Sequence, residues 1–116
     1  PSSYPPPLTA ALQLENGAAV YTATVDAQRQ RIVIIPAAAI QLDGRVAELW
    51  FISAGAAPRS LGLLDAEQPM SVAIPADLQP LVGANSVFAI SLEPAGGSPT
   101  QLPTGPVVAK GNIFSL

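Results

Sequence analysis

The chain has 116 residues, of which 49% are hydrophobic, and a domain of this length can bury a core without a metal ion or a disulfide. It contains no Cys and no His, which excludes zinc enzymes, cysteine hydrolases and Ser-His-Asp hydrolases as function classes. Its five basic residues form no dense cluster and its net charge is -3, so nucleic acid is excluded as the main partner.

The first residues are rich in proline. Pro5, Pro6 and Pro7 favour an extended polyproline conformation, so residues 1–7 are predicted to form a Pro-rich tether and residues 8–116 a single domain. The chain opens without Met and without the features of a signal peptide, and we therefore expect it to be a piece of a longer protein. Its longest nearly uninterrupted apolar stretch, residues 32–40, has about half of the ~20 residues that a membrane-spanning helix needs.

Short apolar runs separated by turn signals follow the tether. Several alternate larger and smaller side chains, as Met70, Val72 and Ile74 do, and this period of two is typical of β-strands. The runs cover residues 8–14, 19–25, 31–35, 46–53, 60–64, 70–74, 87–92 and 107–116. They predict an all-β fold, an antiparallel β-sandwich of about eight short strands that is Ig-like in general architecture.

Helix is expected only as single turns between these strands. Residues 37–40 and 76–82 are each predicted to form a helical turn, and Pro80 prevents the second from growing into a long helix.

Two residues of the fourth and fifth predicted strands are candidate core anchors. Trp50 is the only Trp of the chain and lies in an apolar strand, which favours a core position over a ligand platform. Gly62 follows a turn at residues 55–58, and we expect it to allow a β-bulge or a close approach of two backbones.

The acidic residues offer no candidate catalytic pair. Asp65 and Glu67 are the only two that lie close together, and their sequence is typical of a solvated turn between strands. The chain has no calcium-loop pattern, and its only lysine, Lys110, belongs to no Ser-x-x-Lys motif. The sequence therefore predicts a protein that is not an enzyme, with no catalytic residue, no metal site and no cofactor.

The most unusual segment is the connection before the last predicted strand. Residues 93–106 contain four prolines and three glycines, a composition that favours a fixed Ω-like loop. We expect Glu93 to accept hydrogen bonds from turn amides near Gly96 and Gly97. Both a structural connection and a ligand-binding loop remain open for this segment.

Two sequences of the chain resemble one known family. They are VAELWFISAGAAPRSLGLL, residues 46–64, and SLEPAGGSPTQLPTGPVVAKG, residues 91–111. Their sequences and their order along the chain resemble those of the C-terminal domain of RskA-type anti-sigma-K factors. The resemblance extends from Thr9 to Leu116. The chain departs from the family where Ala47 replaces a frequent aromatic residue and where residues 100–102 are inserted. The signature residues of the loop are Glu93, Pro94, Gly96, Gly97, Pro103, Thr104, Gly105 and Pro106.

The resemblance implies a role in transcription regulation. In this family a cytoplasmic segment holds an extracytoplasmic-function sigma factor, one helix crosses the inner membrane of the bacterium, and the C-terminal domain lies in the periplasm or outside the cell. Cleavage by site-specific proteases, first outside and then within the membrane, releases the sigma factor. The chain is then expected to be a sensor or protease gate that does not itself bind the sigma factor and that meets the membrane only through an upstream helix.

A binding module is the alternative function. Many β-sandwiches of surface or secreted proteins bind a carbohydrate or another protein. A membrane-spanning segment and a sigma-binding region upstream of Pro1 indicate the regulator, whereas a signal peptide or further β-domains indicate the binding module.

Overall fold

A computed structural model describes residues 8–26, 30–83 and 86–115, and about half of these residues lie in nine β-strands. The strands are β1 (Leu8–Gln13), β2 (Ala19–Asp26), β3 (Arg31–Pro36), β4 (Val46–Ile52), β5 (Arg59–Leu64), β6 (Met70–Ala73), β7 (Val87–Glu93), β8 (Val107–Asn112) and β9 (Phe114–Ser115). One 3-10 helix, Gln79–Leu81, is the only helix in the described ranges. The predicted tether, residues 1–7, lies outside them, and the tether remains a prediction.

The strands form one sheet that bends back on itself. Neighbouring strands are joined in the order β5-β4-β7-β8-β1-β2-β3-β6, β9 pairs with β1, and all of these pairings are antiparallel. The bend at β8 and β1 divides the sheet into two layers, and its two ends, β5 and β6, touch. The structure therefore confirms the predicted all-β antiparallel sandwich, in which both layers belong to a single, nearly closed sheet.

The core lies between the two layers. Inward side chains occur at every second position, so that Leu49 and Phe51 of β4 face the same interior as Ile32 and Ile34 of β3. Phe51 and Phe88, which are opposite each other on β4 and β7, place their ring centroids 6.0 Å apart. Fully burying one such side chain contributes about 1.5–3 kcal/mol. The alternation seen in the sequence thus specifies the inner face of the sandwich.

The bend between the layers depends on Gly111. A Cβ at this position would lie 2.1 Å from the carbonyl oxygen of Ala11, so β1 and β8 approach too closely for any side chain. Residues 107–116 were predicted as one strand, but β8 ends at Asn112 and β9 begins at Phe114. Between them the amide of Ile113 donates to Ser86, 3.0 Å away, and the Ile113 side chain enters the core.

The connections between the strands contain little helix in the described ranges. The prediction of a helical turn at residues 76–82 is confirmed by the 3-10 helix, whereas the turn predicted at residues 37–40 is wrong. There the amide of Ala37 donates to the carbonyl of Val20, 2.8 Å away, which keeps the backbone extended beyond β3. The hydroxyl of the buried Tyr21 donates to the carbonyl of Asp65, 2.9 Å away, and this bond fixes the turn between β5 and β6 to strand β2.

Candidate functional site

Strands β4 and β7 are buried on both of their faces. Their inward positions belong to the core, but the outward positions are occupied by Glu48 and Trp50 on β4 and by Ser91 and Glu93 on β7. These four outward side chains have exposed fractions of only 0–6%. An outer face of a two-layer sandwich is normally half solvated, so this face must have a cover of its own.

The cover is the segment of residues 94–106, which we call the strap. It leaves β7 after Glu93, turns at Pro94, whose carbonyl accepts a hydrogen bond from the Gly97 amide at 2.9 Å, and returns to β8 at Val107. It contains no strand and no helix. Hydrogen bonds to the side chains of Glu48 and Glu93 hold it over the outer face, one carboxylate near each end.

The carboxylate of Glu93 binds the far end of the strap. The Thr104 hydroxyl donates to Oε1 at 2.5 Å, and the amides of Thr104 and Gly105 donate to Oε2 at 3.1 and 3.2 Å. From the sheet, the Ser91 hydroxyl donates to Oε2 at 2.5 Å, and the indole Nε1 of Trp50 in turn donates to Ser91 at 2.7 Å. One chain of hydrogen bonds therefore runs from the strand β4 through β7 to the strap.

These hydrogen bonds decide the ionisation of Glu93. Burial by itself would raise the pKa of its carboxyl, because the charged form loses its hydration. The bonds donated by Ser91, Thr104 and Gly105 favour the charged form and outweigh burial, so the pKa of Glu93 lies below its ordinary value. At neutral pH the strap is thus held by a buried carboxylate anion.

The carboxylate of Glu48 binds the near part of the strap. The amide of Ser98 donates to its Oε1 at 2.7 Å, and the hydroxyl of Ser60 on β5 donates to its Oε2. Glu48 lies opposite Ser91 on β7, so the two carboxylate sites are neighbours on the same face. Within the strap, the hydroxyl of Ser98 donates to the carbonyl of Leu102, which closes the turn between the two attachments.

Two glycines allow the strap to lie close to the outward face of β4 and β7. Gly97 has a φ of +98°, and a Cβ there would lie 3.1 Å from both Glu48 Oε1 and Leu63 Cδ2. A Cβ on Gly105 would lie 1.7 Å from the carbonyl oxygen of Leu92, which leaves no room for any side chain. The strap therefore needs glycine at Gly97 for the backbone conformation and at Gly105 for the contact with β7.

The signature loop residues come together in this arrangement, though not in the way that was expected. Glu93 accepts bonds from Thr104 and Gly105, at the opposite end of the loop from Gly96 and Gly97. Pro94 and Gly97 form the turn that follows β7, and Gly96 takes a φ of +90° within it. Pro103 and Pro106 flank the two residues that bind Glu93.

The structure places the two candidate core anchors at positions of different kinds. Trp50 has an exposed fraction of 0%, but it lies on the outward face, where it is bonded to Ser91, and not among the residues of the inter-layer core. Gly62 lies at the bulge of β5, where the pairing register with β4 shifts, and its φ is +118°. A Cβ on Gly62 would meet nothing within 4 Å, so the backbone conformation and not space requires glycine there.

The sequence reasoning missed Glu48, Ser60, Ser91 and Ser98. The available signal was a charged residue, Glu48, among the six apolar residues of β4, because an isolated charge in such a strand requires a partner. The serines carried no signal, since short polar side chains are common on the outer faces of sheets.

The chemistry of this site is to hold a segment in place. The Glu93 and Glu48 oxygens are occupied by donors of the protein itself. Across the described ranges, no group of three or more Asp or Glu side chains could hold a metal ion. In the same residues, no helix is both long and apolar enough to cross a bilayer.

Comparison with known proteins gives one match. The model of a family described as the C-terminal region of anti-sigma-K factor rskA matches residues 1–107, which include β4, β7 and the whole strap. No curated protein and no solved structure matches the chain.

Proposed function

The chain belongs to the anti-sigma-K factor C-terminal domain family, and from this premise we propose that it is the extracytoplasmic regulatory domain of a membrane-anchored anti-sigma factor. The domain controls an extracytoplasmic-function sigma factor by gating the proteolysis of the protein to which it belongs. The observation that carries the proposal is the family match over 107 residues, which covers β1 to β7 and the strap.

The architecture supports a gate that acts through its own stability. A protease binds its substrate as an extended segment with free backbone groups, and the pairing of the strands and the attachment of the strap leave little backbone unpaired and accessible. Cleavage then follows the population of molecules that have opened, provided that opening and closing are fast relative to cleavage. A signal that stabilises or destabilises this domain would change the rate of cleavage without any catalytic group in the domain.

The proposal assigns sigma-factor binding and membrane anchoring to other segments of the full-length protein. The sigma factor is bound by a cytoplasmic segment and not by this domain, and the membrane is crossed by a helix upstream of residue 1. The domain itself is not an enzyme and needs no cofactor. The use of the two buried carboxylates as hydrogen-bond acceptors for the strap supports a structural role for them.

Labelling tests the location. The chain contains no Cys, so a cysteine introduced at the exposed Glu15, written Glu15→Cys, is the only thiol of this domain when the full-length protein is labelled in intact cells. We expect a membrane-impermeant maleimide to label this variant and not the protein without the introduced cysteine. Labelling that requires lysis of the cells would contradict the extracytoplasmic location.

Reporter measurements test the role. Deletion of residues 8–116 from the full-length protein should change the activity of the promoter that depends on the cognate sigma factor. A deletion that leaves both the reporter and the cleavage pattern of the protein unchanged would contradict a regulatory role.

A further inference from the structure

We infer that the strap, residues 94–106, opens as a unit while the sandwich beneath it remains folded, and that this opening is the step at which the domain becomes a protease substrate. The second half of this inference rests on the proposed function, whereas the first half concerns the domain alone.

The strap and the sandwich are held by different interactions. Apolar side chains between two layers hold the sandwich, as the buried cluster with Leu49, Phe51 and Ile90 shows. The strap is held mainly by hydrogen bonds to Glu48 and Glu93, and its own Leu102 has an exposed fraction of 47%. Segments with few buried apolar contacts open at a lower free energy than the core does. The strap is therefore expected to open first.

Opening of the strap would uncover a specific surface. Trp50, Ser91 and Glu93 have exposed fractions of 0%, although all three point away from the core. Glu93 is bonded to the strap directly, and Ser91 links Trp50 to Glu93, so we expect the burial of these side chains to depend on the strap. Trp50 is the only Trp of the chain, so its fluorescence reports the state of the strap directly.

The hydrogen bonds around Glu93 also explain how the loss of one donor can weaken the whole attachment of the strap to Glu93. The chain of hydrogen bonds from Trp50 through Ser91 to Glu93 ends at Thr104, and Glu93 receives four different donors. Removal of one donor weakens the anchoring of the carboxylate for the others, because an incompletely bonded buried charge is unfavourable. The attachment at Glu93 is thus expected to fail cooperatively.

Two variants of the isolated chain test the separate opening. Thr104→Val removes the hydroxyl that donates to Glu93 and keeps the shape of the side chain, and Glu93→Gln replaces the carboxylate. Glu15→Gln, at an exposed position outside the strap, is the matched control. Loss of a hydrogen bond to a charged group should raise the population of the open strap roughly 10- to 100-fold.

The readouts separate the strap from the sandwich. Quenching of Trp50 by acrylamide and cleavage by the broad-specificity protease proteinase K within residues 94–106 report the strap, and far-ultraviolet circular dichroism reports the strands. We expect both strap signals to increase in the two variants, without denaturant and with the strand signal unchanged. If they increase only where the strand signal is lost, or do not increase at all, the strap is not a separate unit and the inference is overturned.

A reporter experiment in cells tests the link to regulation. Full-length proteins carrying Thr104→Val or Glu93→Gln should activate the sigma-dependent promoter, as should Leu49→Ala, which opens a cavity in the core. If Leu49→Ala activates the promoter and the strap variants do not, strap opening is not the gating step, while the proposed function stands. If Leu49→Ala unfolds the domain in cells and the promoter stays silent, the proposed function itself fails.

Discussion

Glu93 is a charged side chain with an exposed fraction of 0%, and its burial is tolerable because four donors form hydrogen bonds to its carboxylate. The donors come from β7 on one side and from the strap on the other. Glutamine in its place presents an NH2 group to donors and cannot accept from all of them. The residue therefore determines whether the far end of the strap is attached.

Replacement of Glu93 by glutamine should destabilise the domain. We expect Glu93→Gln to lower the free energy of unfolding by about 1.5–3 kcal/mol at neutral pH, the range for hydrogen bonds to charged groups. A denaturant melt measures the change, and Glu15→Gln, an exposed substitution of the same type, should remain within about 0.5 kcal/mol of the parent protein. Equal midpoints for the two variants would contradict the role assigned to Glu93.

The stability of the domain should also depend on pH through Glu93. Because the pKa of Glu93 is lowered in the folded protein, its contribution is fully present above the ordinary value of 4.5 and is lost as pH falls through the lower, folded-state pKa. The free energy of unfolding should therefore fall more steeply below pH 4.5 in the parent protein than in Glu93→Gln. Asp77, whose pKa is also lowered by its hydrogen bond to Arg59, contributes equally to both proteins. Parallel curves would show that protonation of Glu93 is not coupled to folding.

At the scale of single elements, the sequence predicted the strands well and their outer surfaces poorly. Alternation locates β6 and β7 within one residue of their ends, because the larger apolar side chains of both strands occupy every second position. In β4 both faces are buried, so Leu49 and Trp50 are equally apolar neighbours and the period is lost. The strap has no period at all, and the partners of Glu93 were therefore assigned to the wrong end of it.

Gly97 allows a test of the strap as an element. Gly97→Val should cost about 1–3 kcal/mol, because a β-branched residue is strained at a φ of +98° and its Cβ would press on Glu48 and Leu63. Gly83→Val is the matched control, since Gly83 does not have a φ in the left-handed region and a Cβ there would meet nothing within 4 Å. Denaturant melts compare the two variants. A loss for Gly83→Val as large as for Gly97→Val would indicate that valine disturbs the chain at any glycine.

At the scale of the whole molecule, the number of strands could be predicted but their order could not. Alternation is a local property, whereas the pairing of β4 with β7 joins residues that are about 40 positions apart. The bend at Gly111 and the contact between β5 and β6 likewise depend on distant backbones. The closure that they produce links both layers in one sheet, so damage to β4 affects the sandwich and the strap together.

Trp50 connects these scales, and its truncation is the strongest test of the gate. Trp50→Ala removes a fully buried side chain and the bond to Ser91, and it should cost about 3–5 kcal/mol against a total stability of about 5–15 kcal/mol. The unfolded fraction then rises on the order of a hundredfold or more.

In cells that carry the full-length Trp50→Ala protein, the sigma-dependent promoter should become active without a signal, because cleavage follows the opened population. Phe114→Ala, which truncates an aromatic side chain that is 49% exposed, should leave the promoter silent. A Trp50→Ala protein that is unfolded and cleaved in the cell while the promoter stays silent would remove the gate and leave the domain as an anchor or a docking surface.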